Sequence, residues 1–258
     1  MEGLKYFFSF INAVPPRFAT PAFSVGHLAV MLFFIAVYSA LTVIFKNKSK
    51  QVRSTFLLVL AVALLFFNVV NELWLDLIGH FTITTELPLQ LCGTMYIIIP
   101  LMILSRKHIL MEFVYACGMP GAFLAMLTPG VQGYYVISWG FLIYFVIHSL
   151  IVYVPVFMLI TGEFRPRLQN LYKVSVLFFA LVVLDFIVDR ALGSKYLYLR
   201  EAPSGTLLAI FASWIGSPGY LLITTFVVVI VWIALYLPWA LVTITQRRQA
   251  LGMEMKME

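Results

Sequence analysis

Charge is what this sequence has least of: Asp, Glu, Lys and Arg make up 11% of its 258 residues, where a soluble domain carries about 25%. That shortage excludes a water-soluble globular domain, since no surface of ordinary polarity can be assembled from it. The net charge of +6 comes from basic residues in short loops. It sets orientation at a membrane and is no nucleic-acid footprint, so no nucleic-acid partner is expected. Cysteine is scarcer still. Cys92 and Cys117 both lie in apolar runs, which excludes a disulfide framework. His27, His80 and His108 are scattered, with no close pair at a metal-binding spacing, so no metal and no soluble cofactor is expected. There is no Gly-x-Ser-x-Gly of the serine hydrolases. The first twenty residues lack the pattern of a removable signal peptide. Low-complexity tracts and clear repeats are missing too, and transporters built on matching halves require repeats.

Hydrophobic residues fill the space, at 62% of the chain with 23 Phe and 13 Tyr. Seven apolar runs are long enough for roughly 30 Å of hydrocarbon: 24–45, 54–75, 87–104, 109–127, 134–160, 174–192 and 219–244. The expected fold class is all-α, a polytopic membrane protein with a bundle of seven transmembrane helices. Residues 1–23, aromatic and broken by Pro15 and Pro16, read as an interfacial segment. Residues 24–246 form the membrane domain, with a short interfacial or re-entrant helix near 206–215, and 247–258 a tail. Of the 17 Lys and Arg, 12 fall in the first, third and fifth loops and the C-terminus. The positive-inside rule then puts the C-terminus in the cytoplasm and the N-terminus outside. The expected location is the cell membrane, a bacterial plasma membrane.

Polar residues inside such runs are costly, about 2.5–3.5 kcal/mol for a charge at the centre of a helix, and face a cavity or a partner. Asn68, Asn71 and Glu72 share one helical face. Asp185 and Asp189 stand one turn apart near the end of the sixth run. Cys92 follows Glu86-Leu87-Pro88-Leu89-Gln90-Leu91, and His148 is the histidine inside the fifth run. A shielded thiol is idle unless a base takes its proton, so Cys92 and His148 form the candidate catalytic pair. Asn68, Asn71, Glu72, Gln90, Asp185 and Asp189 are expected to line the pocket, with Lys195, Tyr196 and Arg200 contacting a headgroup. Depth is the difficulty: His148 lies fourteen residues past Tyr134, about 21 Å at 1.5 Å per residue and roughly 10 Å below Cys92. Cys117, among small residues, reads as a packed small hydrophobe. Pro120 should kink the fourth helix.

Several short motifs carry a resemblance. Leu87-Pro88-Leu89-Gln90-Leu91-Cys92 matches a Leu-Pro-Leu-His-Leu-Cys pattern, and Gly121-Ala122 with Thr128-Pro129-Gly130 matches a Gly-Ala…Thr-Pro turn. His148 falls at a histidine of the next span, and Gly193 to Leu199 with Pro203 matches Gly-x-Asn-Tyr-x-Tyr-Leu…Pro. Together these resemble the YwaF-type seven-span integral membrane proteins, whose animal relatives include a transmembrane lipid acyltransferase. Gln90 and Lys195 depart from the pattern's histidine and asparagine. The resemblance implies seven spans and, for the animal branch, thiol-dependent acyl transfer between phospholipids; membrane phospholipids or lysophospholipids are the expected partners. The leading expectation is an intramembrane phospholipid acyltransferase working through a cysteine thioester. The alternatives are a non-catalytic lipid-binding or lipid-moving protein, and a small-solute or proton-coupled transporter.

Overall fold

The structure, a computed structural model, describes residues 2–254, with side chains described for 3–243 and 245. The fold is all-α and polytopic. Among the described residues six helices are long and apolar enough to cross a membrane, not the expected seven. They are α1 (Val25–Phe45), α2 (Lys50–Leu77), the joined α4 (His108–Phe113) and α5 (Met119–Leu127), α6 (Trp139–Ile160), α7 (Leu171–Leu192) and α9 (Tyr220–Glu254). Between them stand the shorter α3 (Leu91–Ser105) and α8 (Leu207–Ile215). The third expected span is what falls short: the 15 residues of α3 rise about 22 Å. Leu87–Gln90 stays outside the helix, with Leu89 N–H folded back onto the Leu87 carbonyl at 2.7 Å. The expected tail begins inside α9, and residues 255–258 lie outside the described residues.

α6 is apolar on every side, and a helix of that kind belongs in the middle. Phe141, Phe145, Ile151, Val154 and Phe157 are fully buried against α1, α2, α3 and α5. The helix begins at Trp139, five residues after the expected start, because the Ser138 hydroxyl accepts the Phe141 N–H and caps it there. That late start brings His148 about 7–8 Å closer to the helix end. α1 is peripheral and buries His27 alone. The His27 Nδ1 accepts the Phe23 N–H at 2.8 Å, so its Nε2–H donates to the Met126 carbonyl, also at 2.8 Å.

Pro120 does more than kink its helix. α4 and α5 are joined by a π-helical turn, Val114–Gly118. Proline has no N–H for the carbonyl four residues back, here that of Ala116. The Trp232 indole of α9 donates to that carbonyl instead, at 2.9 Å. The turn also packs tightly on α3: a Cβ on Gly118 would stand 2.5 Å from the Met95 sulfur.

The N-terminal segment forms three short 3-10 turns that strap one end of the bundle. Its Phe7 carbonyl accepts the Trp139 N–H at 2.7 Å, its Phe8 carbonyl the Trp74 indole at 3.3 Å, and Phe10 stacks on His80. At the opposite end Glu163 pairs with Arg53 of α2 at 2.8 Å and with Arg106 after α3 at 3.2 Å.

Candidate functional site

Cys92 is the second residue of α3, held beneath the 78–90 loop at the strapped end. The loop can lie this close because residue 93 is glycine: a Cβ there would meet the Pro88 Cα at 3.0 Å. Gln90 occupies the N-cap but does not cap with its side chain. Its Oε1 reaches across to accept the Leu197 N–H at 3.1 Å. Leu197 and Tyr198 both have positive φ, 47° and 53°. That region is unfavourable for residues with a side chain and persists only where the surroundings hold it.

The holding is done by Asp189 and Tyr196. The Asp189 Oδ1 accepts from the Ser194 hydroxyl at 2.6 Å and the Tyr196 N–H at 2.8 Å. The Tyr196 hydroxyl donates to the Ile83 carbonyl at 2.6 Å and accepts the Leu87 N–H at 3.0 Å. Tyr220 of α9 donates to the Tyr198 carbonyl. Two loops distant in sequence are thereby clasped over the thiol. Burial, followed by the Cys92 thiol and the Glu86 carboxyl, pushes the Tyr198 phenol above its usual range.

Cys92 also acts electrostatically on the phenols of Tyr96 and Tyr144. Tyr144 stands one turn before His148 on α6; α3 and α6 both begin later than expected, so the helix starts alone leave most of the expected gap in depth. The His148 ring stacks on that of Tyr144 at 4.0 Å between centroids. Its Nδ1 meets the Tyr144 carbonyl at 2.7 Å. A carbonyl only accepts, so Nδ1 carries the proton and Nε2 holds the lone pair. Among the described residues Nε2 makes no hydrogen bond, and none reaches the Cys92 sulfur. Among the described residues the two candidate catalytic groups are not bonded to each other.

Glu72 and Glu86 face one another across α2 and the loop, and both act on Tyr96. Burial pushes the Glu86 carboxyl above the usual range, and a hydrogen bond from Thr85 opposes this in part. A carboxyl raised in the folded state costs stability above its folded pKa and nothing below its unfolded one. Glu86→Gln is therefore expected to raise the unfolding midpoint at about pH 8 and leave it unchanged near pH 4. Equal shifts at both pH values, measured by thermal unfolding in detergent, would contradict that account.

A model of the TMEM164 family matches residues 22–236, five-sixths of the chain. The chain belongs to the TMEM164 family. It is a multi-pass membrane protein. No curated protein and no solved structure matches it significantly. The family match takes in Cys92, His148 and the whole clasp, and leaves out most of the strap and the end of α9.

The remaining expected residues of this family member fare unevenly. Asn68 and Asn71 are half-buried on α2 and carry no side-chain hydrogen bond among the described residues. Asp185 and Asp189 lie together on α7, fully enclosed. Both Asp185 oxygens and the Asp189 Oδ2 lack a partner. Tyr196, expected to contact a headgroup, is fully buried, and its hydroxyl is engaged on both sides. Lys195 pairs with Glu201, and the exposed Arg200 gives its carbonyl to Ser217. Among the described residues no three His, Cys, Asp or Glu side chains are placed to hold a metal ion. A groove of about 450 Å³ between α1, α5 and α6 contains neither Cys92 nor His148.

Sequence reasoning passed over Glu112. It is fully buried and accepts from the Arg167 N–H at 2.9 Å, Asn170 Nδ2 at 3.1 Å and the Tyr236 hydroxyl at 2.6 Å. His108 Nδ1 stands 3.4 Å away. The signal was available, since Glu112 is the one carboxylate within the 109–127 run and such residues need partners.

Proposed function

We propose that this TMEM164-family protein is an intramembrane phospholipid acyltransferase that carries the acyl chain as a thioester on Cys92. One observation carries the reading: the Tyr144 carbonyl fixes the His148 tautomer and leaves Nε2 as the free lone pair. A main-chain carbonyl orients this imidazole, the part a carboxylate plays in the familiar triads.

In the first step His148 Nε2 takes the thiol proton, and the sulfur attacks the carbonyl carbon of a phospholipid ester. The carbon–sulfur bond forms and the carbonyl electron pair moves onto oxygen. Collapse of that adduct breaks the bond to the glycerol oxygen, which leaves with the proton from His148 as a lysophospholipid. A second lysophospholipid hydroxyl then reverses the sequence and takes the acyl group. The chemistry needs no soluble cofactor. Hydrogen bonds between thiol and base are often absent until substrate is bound, so their absence here is compatible with the step.

In this reading α3 is a seventh, short crossing, as in the YwaF-type pattern. The strapped end faces outward from the plasma membrane, and the Arg53–Glu163–Arg106 end faces the cytoplasm, matching the basic-loop asymmetry. The unbonded Cys92 sulfur favours one second reading, a non-catalytic lipid-binding or lipid-moving protein. Intact mass spectrometry of protein from phospholipid and lysophospholipid vesicles separates the two. An acyl adduct on Cys92, released by hydroxylamine, is the expected result; co-purifying intact lipid with no adduct would leave only the binder.

A further inference from the structure

We propose that the Tyr96 phenol is the hydrogen-bond donor to the ester oxygen as it turns into the oxyanion, a catalytic residue resting on the acyl-transfer reading of Cys92. Tyr96 stands four residues after Cys92 on α3, the spacing at which helical side chains are neighbours. Long side chains in a helix lean toward its N-terminus, so the Tyr96 ring lies over the turn that carries the thiol. The electrostatic contact between the two groups agrees with that placement.

The Tyr96 hydroxyl is also uncommitted. Three other phenols of the bundle are engaged: Tyr144 donates to the Ala125 carbonyl, Tyr115 to that of Leu235, and Tyr236 to Glu112. Tyr96 is half-buried and makes no hydrogen bond among the described residues. A hydroxyl with no protein partner is free to donate to a group that enters beside it. Its neighbours are a thiol and the carboxyls of Glu72 and Glu86. Beside such groups, what the phenol can offer an incoming ester is its proton. In the step above, the electron pair displaced onto the carbonyl oxygen is met by this O–H, and the bond relaxes when the adduct collapses to thioester and lysophospholipid. The phenol gives up no proton overall.

The test is Tyr96→Phe in the full-length protein in phospholipid vesicles, with acyl exchange into a lysophospholipid as the assay. The expected result is a fall in kcat of about 10²-fold with KM within about twofold, as for removal of an oxyanion donor elsewhere. Labelling of Cys92 by a lipid-soluble maleimide and the unfolding midpoint should be unchanged. A wild type that exchanges beside a Tyr96→Phe variant with undiminished kcat overturns this assignment alone. A wild type without exchange overturns the acyl-transfer reading and this assignment with it. Should Tyr96→Phe fail to fold, Tyr96→3-fluorotyrosine keeps the shape with a more acidic phenol. It should raise kcat by a few-fold, and an unchanged kcat would overturn the assignment.

Discussion

Cys92→Ala is expected to leave a folded protein that transfers no acyl chains. The substitution removes one sulfur from a half-buried position that makes no hydrogen bond, so the cost to stability should stay below about 1 kcal/mol. The cost to turnover should be on the order of 10⁶-fold, the scale seen when a covalent enzyme loses its nucleophile. Cys117→Ala is the internal comparison: Cys117 is buried in the π turn, so exchange should persist while the midpoint falls slightly. Exchange measured in vesicles, with thermal unfolding alongside, reads both. Undiminished exchange by Cys92→Ala would end the thioester mechanism, and equal loss in both variants would mean that packing, not chemistry, was disturbed.

The largest expected effect on stability lies at the other end of the bundle. Glu112→Leu deprives the Arg167 N–H, the Asn170 amide and the Tyr236 hydroxyl of their acceptor at one stroke. Removing the shared member of a buried polar network typically costs about 3–5 kcal/mol, a large share of the roughly 5–15 kcal/mol that holds an ordinary protein folded. Glu112→Gln keeps one acceptor oxygen and should lose about half as much. Unfolding midpoints in detergent, or yield of folded protein, read the difference. If both variants fall within about 0.5 kcal/mol of wild type, these bonds contribute little.

How far the sequence carried depends on the kind of signal. α1 was legible almost to the residue, since an uninterrupted apolar run begins directly after the capping Ser24 and ends at Lys46. The starts of α3 and α6 were not. Apolar Leu87 and Leu89 extend the hydropathy of α3 outward, although Pro88 keeps them in a turn. Tyr134 to Ile137 do the same for α6, although the Ser138 cap starts that helix later. Hydropathy counts apolar residues and does not see where the backbone stops being helical. The break at Pro120 was foreseeable from proline alone; the indole that makes it tolerable comes from residue 232.

The candidate site divides along the same line. Cys92 and His148 were recognisable because a thiol and an imidazole inside apolar runs call for an explanation. Tyr96 and Tyr144 were not, because tyrosine is common in membrane helices and its meaning here comes from which rings meet. The burial of Tyr196 was not legible either, because an aromatic beside a lysine suggests a membrane surface. The residues that bury it, Ile83 and Leu87, lie more than a hundred positions earlier.

α9 connects everything described above. Near its start Tyr220 grips the loop over the thiol, midway Trp232 holds the opened turn at Ala116, and Tyr236 anchors Glu112. Sixteen residues separate the first and last of these, a reach of about 24 Å. The helix therefore acts as a strut between the two faces of the bundle. It cannot slide or swivel without breaking bonds at three heights, so the loop above Cys92 is anchored to the far side of the membrane as well as to its own surroundings.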